Sequence, residues 1–474
     1  MSLPIFSEER RKWWTLGAVS FGLFMIMLDN TVVNVALPSV QEDLGASLSE
    51  LQWIVTGYAL SFAALMLVGG KLADAYGRRL IFIIGIAVFT AASLWCGLAD
   101  SGSMLISARI VQGAGAALMN PATLSIIAAT FAPKERGMAI GIWAGTAALA
   151  LAIGPLVGGL LTEHLSWHWI FFVNIPVGIV AIAASLLLIQ ESKDETHASL
   201  DLPGLATSAL GLFALTYGLI EANTYGWTSA RIVGSFVLAV VSLASFVQIE
   251  RRRRSPMLDL TLFRSSTYVG ANVAMLLVAL AMFGVFFFVS LYMQNVLGYS
   301  AVQAGAAFLP MTVLIIIVAP LAGKASDRYG SRWLMTIGMV LLGVQLLYLS
   351  QLGTDATFWN LLPGFLFGGL GMSLTMTPTA AAATRAVPVQ KAGVGAGVLN
   401  AMRQVGGSVG VALMGAIVAA EASGRPGIEG FMAGYERALL VAAFIAFAGS
   451  IVAFALVRQE AATEEPAPPM EVAA

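Results

Sequence analysis

Apolar runs of about 20 residues, the length at which a helix crosses hydrocarbon, recur from one end of the chain to the other with short polar stretches between them. They fall near 14–37, 51–70, 80–99, 103–131, 138–162, 168–190, 202–221, 230–249, 267–291, 303–323, 332–350, 359–384, 393–421 and 434–457. Each predicts a spanning helix, so the pattern predicts an all-α integral membrane protein with 14 transmembrane spans. The polar stretches repeat as well. GKLADAYGRR at 70–79 returns as GKASDRYGSR at 323–332, each between two apolar runs, which predicts a basic loop of about ten residues in both places. Gly137, Gly141 and Gly154 return as Gly393, Gly397 and Gly410. Spans 1 to 6 therefore match spans 9 to 14, and spans 7 and 8 have no counterpart. The expected organisation is an N-terminal six-helix bundle (1–192), an inserted helix pair (193–254), a C-terminal six-helix bundle (255–459) and a disordered acidic, proline-rich tail (460–474).

Composition excludes a water-soluble globule, because 58% of the chain is hydrophobic and 11% charged, against a charged share of about 25% in soluble domains. Where the charges sit fixes the expected sidedness. With both termini cytoplasmic, nearly all of the 25 Lys and Arg fall in cytoplasmic segments. Arg231, Arg425 and Arg437 fall outside, and Arg109 and Arg403 lie within spans. The run Arg251–Arg254 reads as part of that orientation signal. A net charge of −1 gives no reason to expect a nucleic-acid partner. The single cysteine, Cys96, excludes an intrachain disulfide. The first apolar run exceeds a signal-peptide core of about 7–15 residues and reads as an uncleaved span.

Polar side chains inside spans carry the candidate chemistry. A carboxylate in hydrocarbon costs several kcal/mol unless it is protonated, paired or facing water, which makes Asp29 in span 1 the first candidate. From the helical rise, Asp29 lies about 12 Å below the outer end of span 1 and Arg109 about 9 Å below that of span 4. These depths permit pairing. Desolvation opposes the charge on Asp29 while a nearby Arg109 favours it, so a movement altering either binds or releases a proton; a static ion pair between two helices is the plainer alternative. Arg109, Gln112, Gly113, Ala116 and Asn120 share one face of span 4. Asn400, Arg403, Gln404 and Gly407 do the same on span 13, and Asn30 and Asn34 flank Asp29. Such faces turn toward a watery cavity or toward hydrogen bonds with neighbouring helices. Gly137, Gly141 and Gly145 form a small-residue ridge on span 5, followed by Gly154, Pro155, Gly158 and Gly159, a pattern that permits close helix packing.

His164 and His168 sit among Trp167 and Trp169, as in an interfacial aromatic belt, and no metal site is expected. No GxxxxGK[ST] loop or GxSxG elbow occurs, so neither an ATP motor nor a familiar catalytic centre is expected.

Four stretches together resemble the major facilitator superfamily, in particular its fourteen-span drug/proton antiporter family: LDNTVVNVALP at 28–38, GKLADAYGRR at 70–79, RIVQGAGAA at 109–117 and GPLVGG at 154–159. The resemblance implies exchange of protons for amphipathic organic compounds by alternating access, two bundles rocking around a central cavity. It gives Asp29 and Arg109 the proton-coupling role. Asn30, Asn34, Trp53, Tyr58, Gln112, Asn120, Asn400, Arg403 and Gln404 would line the substrate cavity. Gly70, Asp74, Gly77, Arg78 and Arg79, with Gly323, Asp327, Arg328, Gly330 and Arg332, would form the cytoplasmic gate. Gly154, Pro155, Gly158 and Gly159 would form the antiporter helix motif. Ala75 stands where the family's loop pattern has a basic residue, so the first loop's latch is expected to be the weaker, while the second copy retains Arg328; Ala150 stands where the span 5 pattern begins with glycine.

The function so implied is secondary active transport, not enzymatic catalysis: efflux of hydrophobic or cationic amphipathic compounds from a bacterial cytoplasmic membrane. A proton gradient drives it without a cofactor, through a lipid-embedded monomer. Two alternatives stay open on sequence, a dedicated exporter of one lipid or natural product and a non-transporting receptor or scaffold.

Overall fold

An apolar chain in lipid must satisfy its backbone polar groups within each segment, which helices do. The computed structural model describes residues 8–131, 133–193, 201–253, 258, 260–387, 392–423, 425 and 427–458, and these contain helices and no strand. The expected tail at 460–474 and Arg254 lie outside the described residues.

Helices fall on every expected segment. The first half holds α1 (Glu8–Leu44), α2 (Leu48–Tyr76), α3 (Arg78–Gly97), α4 (Gly102–Thr130), α5 (Pro133–His164), α6 (Trp169–Phe172) and α7 (Asn174–Leu188). Next come α8 (Leu202–Tyr225) and α9 (Ala230–Arg252). The second half holds α10 (Ser266–Leu291), α11 (Ala301–Ala307), α12 (Leu309–Tyr329), α13 (Ser331–Leu349), α14 (Phe358–Arg385), α15 (Ala392–Ala422) and α16 (Gly427–Leu456). By length and apolarity, 11 spans among the described residues can cross a membrane, or 12 when the two arms of α2 are taken together. Two expected spans are interrupted. α6 and α7 break at Val173, and α11 and α12 break at Phe308 just ahead of Pro310, which lacks the donor an unbroken helix needs there.

The repeated basic stretches are not ten-residue loops. α2 runs on through Tyr76 and α3 starts at Arg78, so Gly70 and Asp74 are helical and Gly77 alone makes the turn, at φ 123°. The second copy turns likewise on Gly330 at φ 80°. Only glycine adopts such backbone without strain. The helices outlast the apolar runs because Lys, Ala, Asp and Arg are acceptable helix formers once outside hydrocarbon.

In the first half α1 packs on α5, α2 on α4, and α3 on α4 and α7. In the second, α10 packs on α15 and α16, α13 on α14 and α16, and α12 on α14. The halves meet where α5 touches α11 and α12, α2 touches α15, and α1 touches α10. The α8–α9 hairpin lays α8 against both α2 and α15.

Specific contacts between the halves gather at the end where α1 passes into α2. Gln294 Nε2 donates to Val35 O at 2.9 Å. The backbone N–H of Val302 donates to Glu163 Oε2 at 2.9 Å. Gly159 abuts the backbone of Ala301 and Val302, and Gly305 abuts that of Pro155. At the same end Asn223 of α8 donates to Ala416 O of α15 at 2.7 Å.

Candidate functional site: a buried ion-pair cluster beside a polar seam

Four helices converge on Asp29. Both Asp29 and Arg109 are 1% exposed, and Arg109 Nη1 donates to Asp29 Oδ2 at 2.5 Å. Gln112, one turn along α4, donates from Nε2 to Asp29 Oδ1 at 2.9 Å and to Ser93 Oγ of α3 at 2.6 Å. Its carbonyl oxygen accepts a second Nη1 contact from Arg109 at 2.6 Å and faces Cys96 Sγ at 3.7 Å. Arg109 Nε donates to Ile54 O of α2 at 3.1 Å, and Asn174 of α7 donates to Ser93 Oγ at 3.1 Å. A buried charge is tolerable when paired and hydrogen-bonded, and here each carboxylate oxygen has its own donor. The depth match in the sequence points to this pair. It gives no sign of Ser93, Asn174 or the Ile54 carbonyl, because a serine or asparagine in an apolar span carries no periodic signature and a backbone carbonyl is silent.

The cluster is enclosed within the first half rather than open to a cavity. Tyr58 roofs it: the Arg109 guanidinium carbon lies 4.2 Å from the ring centroid, a cation–π distance. Beyond the ring, the Tyr58 hydroxyl is buried without a hydrogen-bond partner, in electrostatic range of Arg403 on α15. Tyr58 thus stands between the ion pair and the seam where α2 packs on α15.

The other expected cavity residues are dispersed. Asn30 and Asn34 donate to carbonyls one turn back on their own helix, Ile26 O at 2.9 Å and Asn30 O at 3.2 Å. Asn120 is buried on α4 near Thr123, whose hydroxyl bonds the Asn120 carbonyl at 2.7 Å and receives Trp143 Nε1 at 3.0 Å. Gln404 is buried with its amide nitrogen unpartnered, and Asn400 is half-buried one turn earlier. Trp53 points elsewhere. Its indole donates to Glu221 Oε1 of α8 at 3.3 Å and its ring lies 6.4 Å from that of Tyr217, so it seats the inserted pair.

On α5, Gly154 and Gly158 press on α1 at Thr31 and Val32, and Gly159 presses on α11. With Pro155 opposite Gly305, the motif sets α5 between α1 of its own half and α11 of the other. Gly141 and Gly145 differ from the expected ridge: no described atom comes within 4 Å of a side chain placed there.

The repeated turns are tied differently. In the first, Arg78 Nη2 reaches Asp74 Oδ1 at 3.0 Å on the same stretch. Glu191, absent from the sequence-based candidates, accepts the backbone N–H groups of Arg79 and Leu80 at 3.1 Å each, capping α3 as an acidic group at a helix N-terminus should. In the second, Asp327 pairs with Arg385 of α14 at 2.8 Å. Arg385 also donates to Ser326 Oγ at 3.0 Å and Ser331 Oγ at 2.7 Å. Arg328, the expected latch, is exposed with its guanidinium 5.2 Å from the Tyr329 ring. Arg332 lies over Phe454 at 4.0 Å. At the opposite end Trp167 donates to Asp43 Oδ2 at 2.9 Å and stacks on His168 at 3.8 Å. No group of potential metal ligands gathers among the described residues.

Residues 19–411 match the family model of the Major Facilitator Superfamily. The tetracenomycin C resistance and export protein of Streptomyces glaucescens is 38% identical over 417 residues, covering 88% of this chain and 78% of that protein. The puromycin resistance protein of Streptomyces alboniger is 37% identical, covering 96% and 94% respectively. Among solved structures, a bacterial homologue of the human lysosomal transporter Spinster, in an inward-facing and unoccupied conformation, superposes with a TM-score of 0.67 at 17% identity over 94% of this chain and 97% of that one. An all-helical chain with this many apolar spans, matched in sequence over most of its length and in fold over nearly all of it, is a multi-pass bacterial membrane transporter belonging to the major facilitator superfamily.

Proposed function

We propose that this transporter is a proton-coupled drug antiporter with fourteen spans and both termini cytoplasmic, exporting small amphipathic organic compounds by alternating access. The observation that carries the reading is the Asp29–Arg109–Gln112 cluster, a buried carboxylate whose two oxygens are held by a cation and an amide. A proton arriving on Asp29 removes the charge that holds Arg109. The guanidinium keeps its bonds to Ile54 O and Gln112 Oε1 but loses its strongest attraction. Because Arg109 lies on Tyr58, and Tyr58 borders the seam where α2 packs on α15, a shift of the guanidinium reaches the surface where the halves meet. A relative named for resistance to and export of tetracenomycin C, and another named for puromycin resistance, support an organic cargo. In this orientation the contacts at Glu163, Gly159 and Gln294 close the outer end, and cargo enters from the cytoplasmic side.

Two relatives carry the names of single antibiotics, which favours a dedicated exporter as the second reading. A panel of unrelated scaffolds separates the two, since a dedicated exporter accepts one chemical class.

The test of coupling is reconstitution in liposomes under an imposed pH gradient, following a fluorescent amphipathic dye with wild type beside Asp29→Asn. Gradient-driven movement is expected for wild type and absent for the variant. Equal movement in both would remove Asp29 from the proton path.

A further inference from the structure

One membrane-embedded cation stands apart from any acid among the described residues. Asp29 has both oxygens occupied within the first half, by Arg109 and Gln112, and its charge is spent on Arg109. Glu221, the acid on α8, receives the Trp53 indole. Arg403 makes no ion pair with any described residue, and its Nε is buried without a hydrogen-bond partner. The next residue, Gln404, is 1% exposed and leaves its Nε2 unpartnered as well. Each orphan atom is a donor, so what completes it is an acceptor, and for a guanidinium the best acceptor is an anionic oxygen; consecutive side chains on a helix diverge by about 100°, so Arg403 carries the contact and Gln404 borders it. An arginine left alone at membrane depth costs several kcal/mol, and such residues mark substrate paths rather than packing. Arg403 also stands where substrate passes on the reading above. It lies on α15, which packs against α2 at the seam between the halves.

We infer that Arg403, with Gln404 beside it, is the recognition site for an acidic oxygen on the cargo, a carboxylate, sulfonate or phenolate attached to an apolar ring system. The cargo is then an organic acid, not a lipophilic cation, since a cation entering this seam meets the unpaired positive charge of Arg403. This inference rests on the exporter reading for the identity of the ligand, but its test needs no gradient and no transport.

The probes are a matched pair of environment-sensitive fluorophores, anilinonaphthalene sulfonate and its uncharged parent phenylnaphthylamine. They are titrated into the purified full-length protein in nanodiscs of zwitterionic lipid, with empty discs subtracted. Wild type is expected to bind the sulfonate more tightly than the parent. Arg403→Gln should raise the sulfonate Kd about tenfold, the scale of one charge-assisted hydrogen bond, and leave the parent unchanged. Arg403→Lys should recover part of the loss. Gln404→Leu, which keeps the charge, should weaken the sulfonate by a smaller factor. The inference is overturned if wild type shows no preference for the sulfonate or fails to bind it, if Arg403→Gln changes both probes alike, or if it changes neither. Size-exclusion profiles of each variant in the same discs separate lost binding from lost fold. The titrations impose no gradient and follow no flux, so a failed coupling assay and a failed recognition assay are separate results.

Discussion

Gln112 donates its side-chain amide to Asp29 Oδ1 at 2.9 Å, on the carboxylate oxygen that the Arg109 guanidinium does not take. The carboxylate is therefore held from two sides in a dry interior, and removing either charge strands the other. Breaking a buried pair by deleting one partner costs about 3–5 kcal/mol, whereas replacing both by neutral groups is far milder. Arg109→Gln is expected to unfold at clearly lower temperature than wild type, and adding Asp29→Asn to it should restore most of the loss. Thermal unfolding in detergent reads this directly. The double variant should remain inactive in gradient-driven flux, which sets a coupling pair apart from a merely structural one; a double variant with full flux would leave only the structural role.

A side chain at Gly159 would lie 2.5 Å from Ala301 O and 2.8 Å from Val302 Cα, whereas one at Gly145 meets nothing within 4 Å. Overpacking costs about 1–3 kcal/mol, and at Gly159 it falls on the contact between halves. Gly159→Ala should fold yet lose about tenfold in transport rate, which corresponds to about 1.4 kcal/mol. Gly145→Ala should transport normally and gain up to about 1 kcal/mol from helix propensity. Parallel flux and unfolding assays decide it, and wild-type flux in Gly159→Ala would show that this contact does not govern the cycle.

Glu163 accepts the Val302 N–H at the start of α11. Loss of a helix-terminal acceptor costs about 1 kcal/mol, so Glu163→Ala should loosen this end while Glu163→Gln, which retains a carbonyl acceptor, should not. Spin labels at the exposed positions Leu165 and Gln303 report the separation. A longer or broader distance distribution is expected for the alanine variant alone.

Arg385 binds Asp327, Ser326 and Ser331 together. Its planar fork serves three acceptors that a lysine ammonium cannot satisfy in the same geometry. Arg385→Lys and Arg385→Ala should both reduce transport about tenfold, again about 1.4 kcal/mol, whereas Arg328→Ala should have little effect. Equal loss at both positions would restore Arg328 as the residue that latches the second turn.

Legibility followed physical cause. Spanning helices were readable because lipid demands continuous apolar runs, and Asp29 and Arg109 because a charge in such a run has no cheap explanation. The ends of α2 and α12 were not readable. Apolarity stops at the membrane boundary, but helix propensity continues through Asp74 and Asp327 to the glycine turns. Residue type alone points Trp53 to the cavity, and residue type does not say which neighbour a helix face meets. Glu191 and Arg385 were invisible for a related reason: each acts on a segment 50 or more residues away, 111 between Glu191 and Leu80 and 58 between Arg385 and Asp327, with no motif around it.

A twofold-repeated transporter offers the bilayer two side doors, one along α2 and α15 and one along α5 and α12. Here α8 bars the first, anchored to α2 through Glu221 and Trp53 and to α15 through Asn223 and Ala416. The insertion thus makes the two seams unequal toward lipid, one curtained by a helix from outside either half and the other closed by the halves alone.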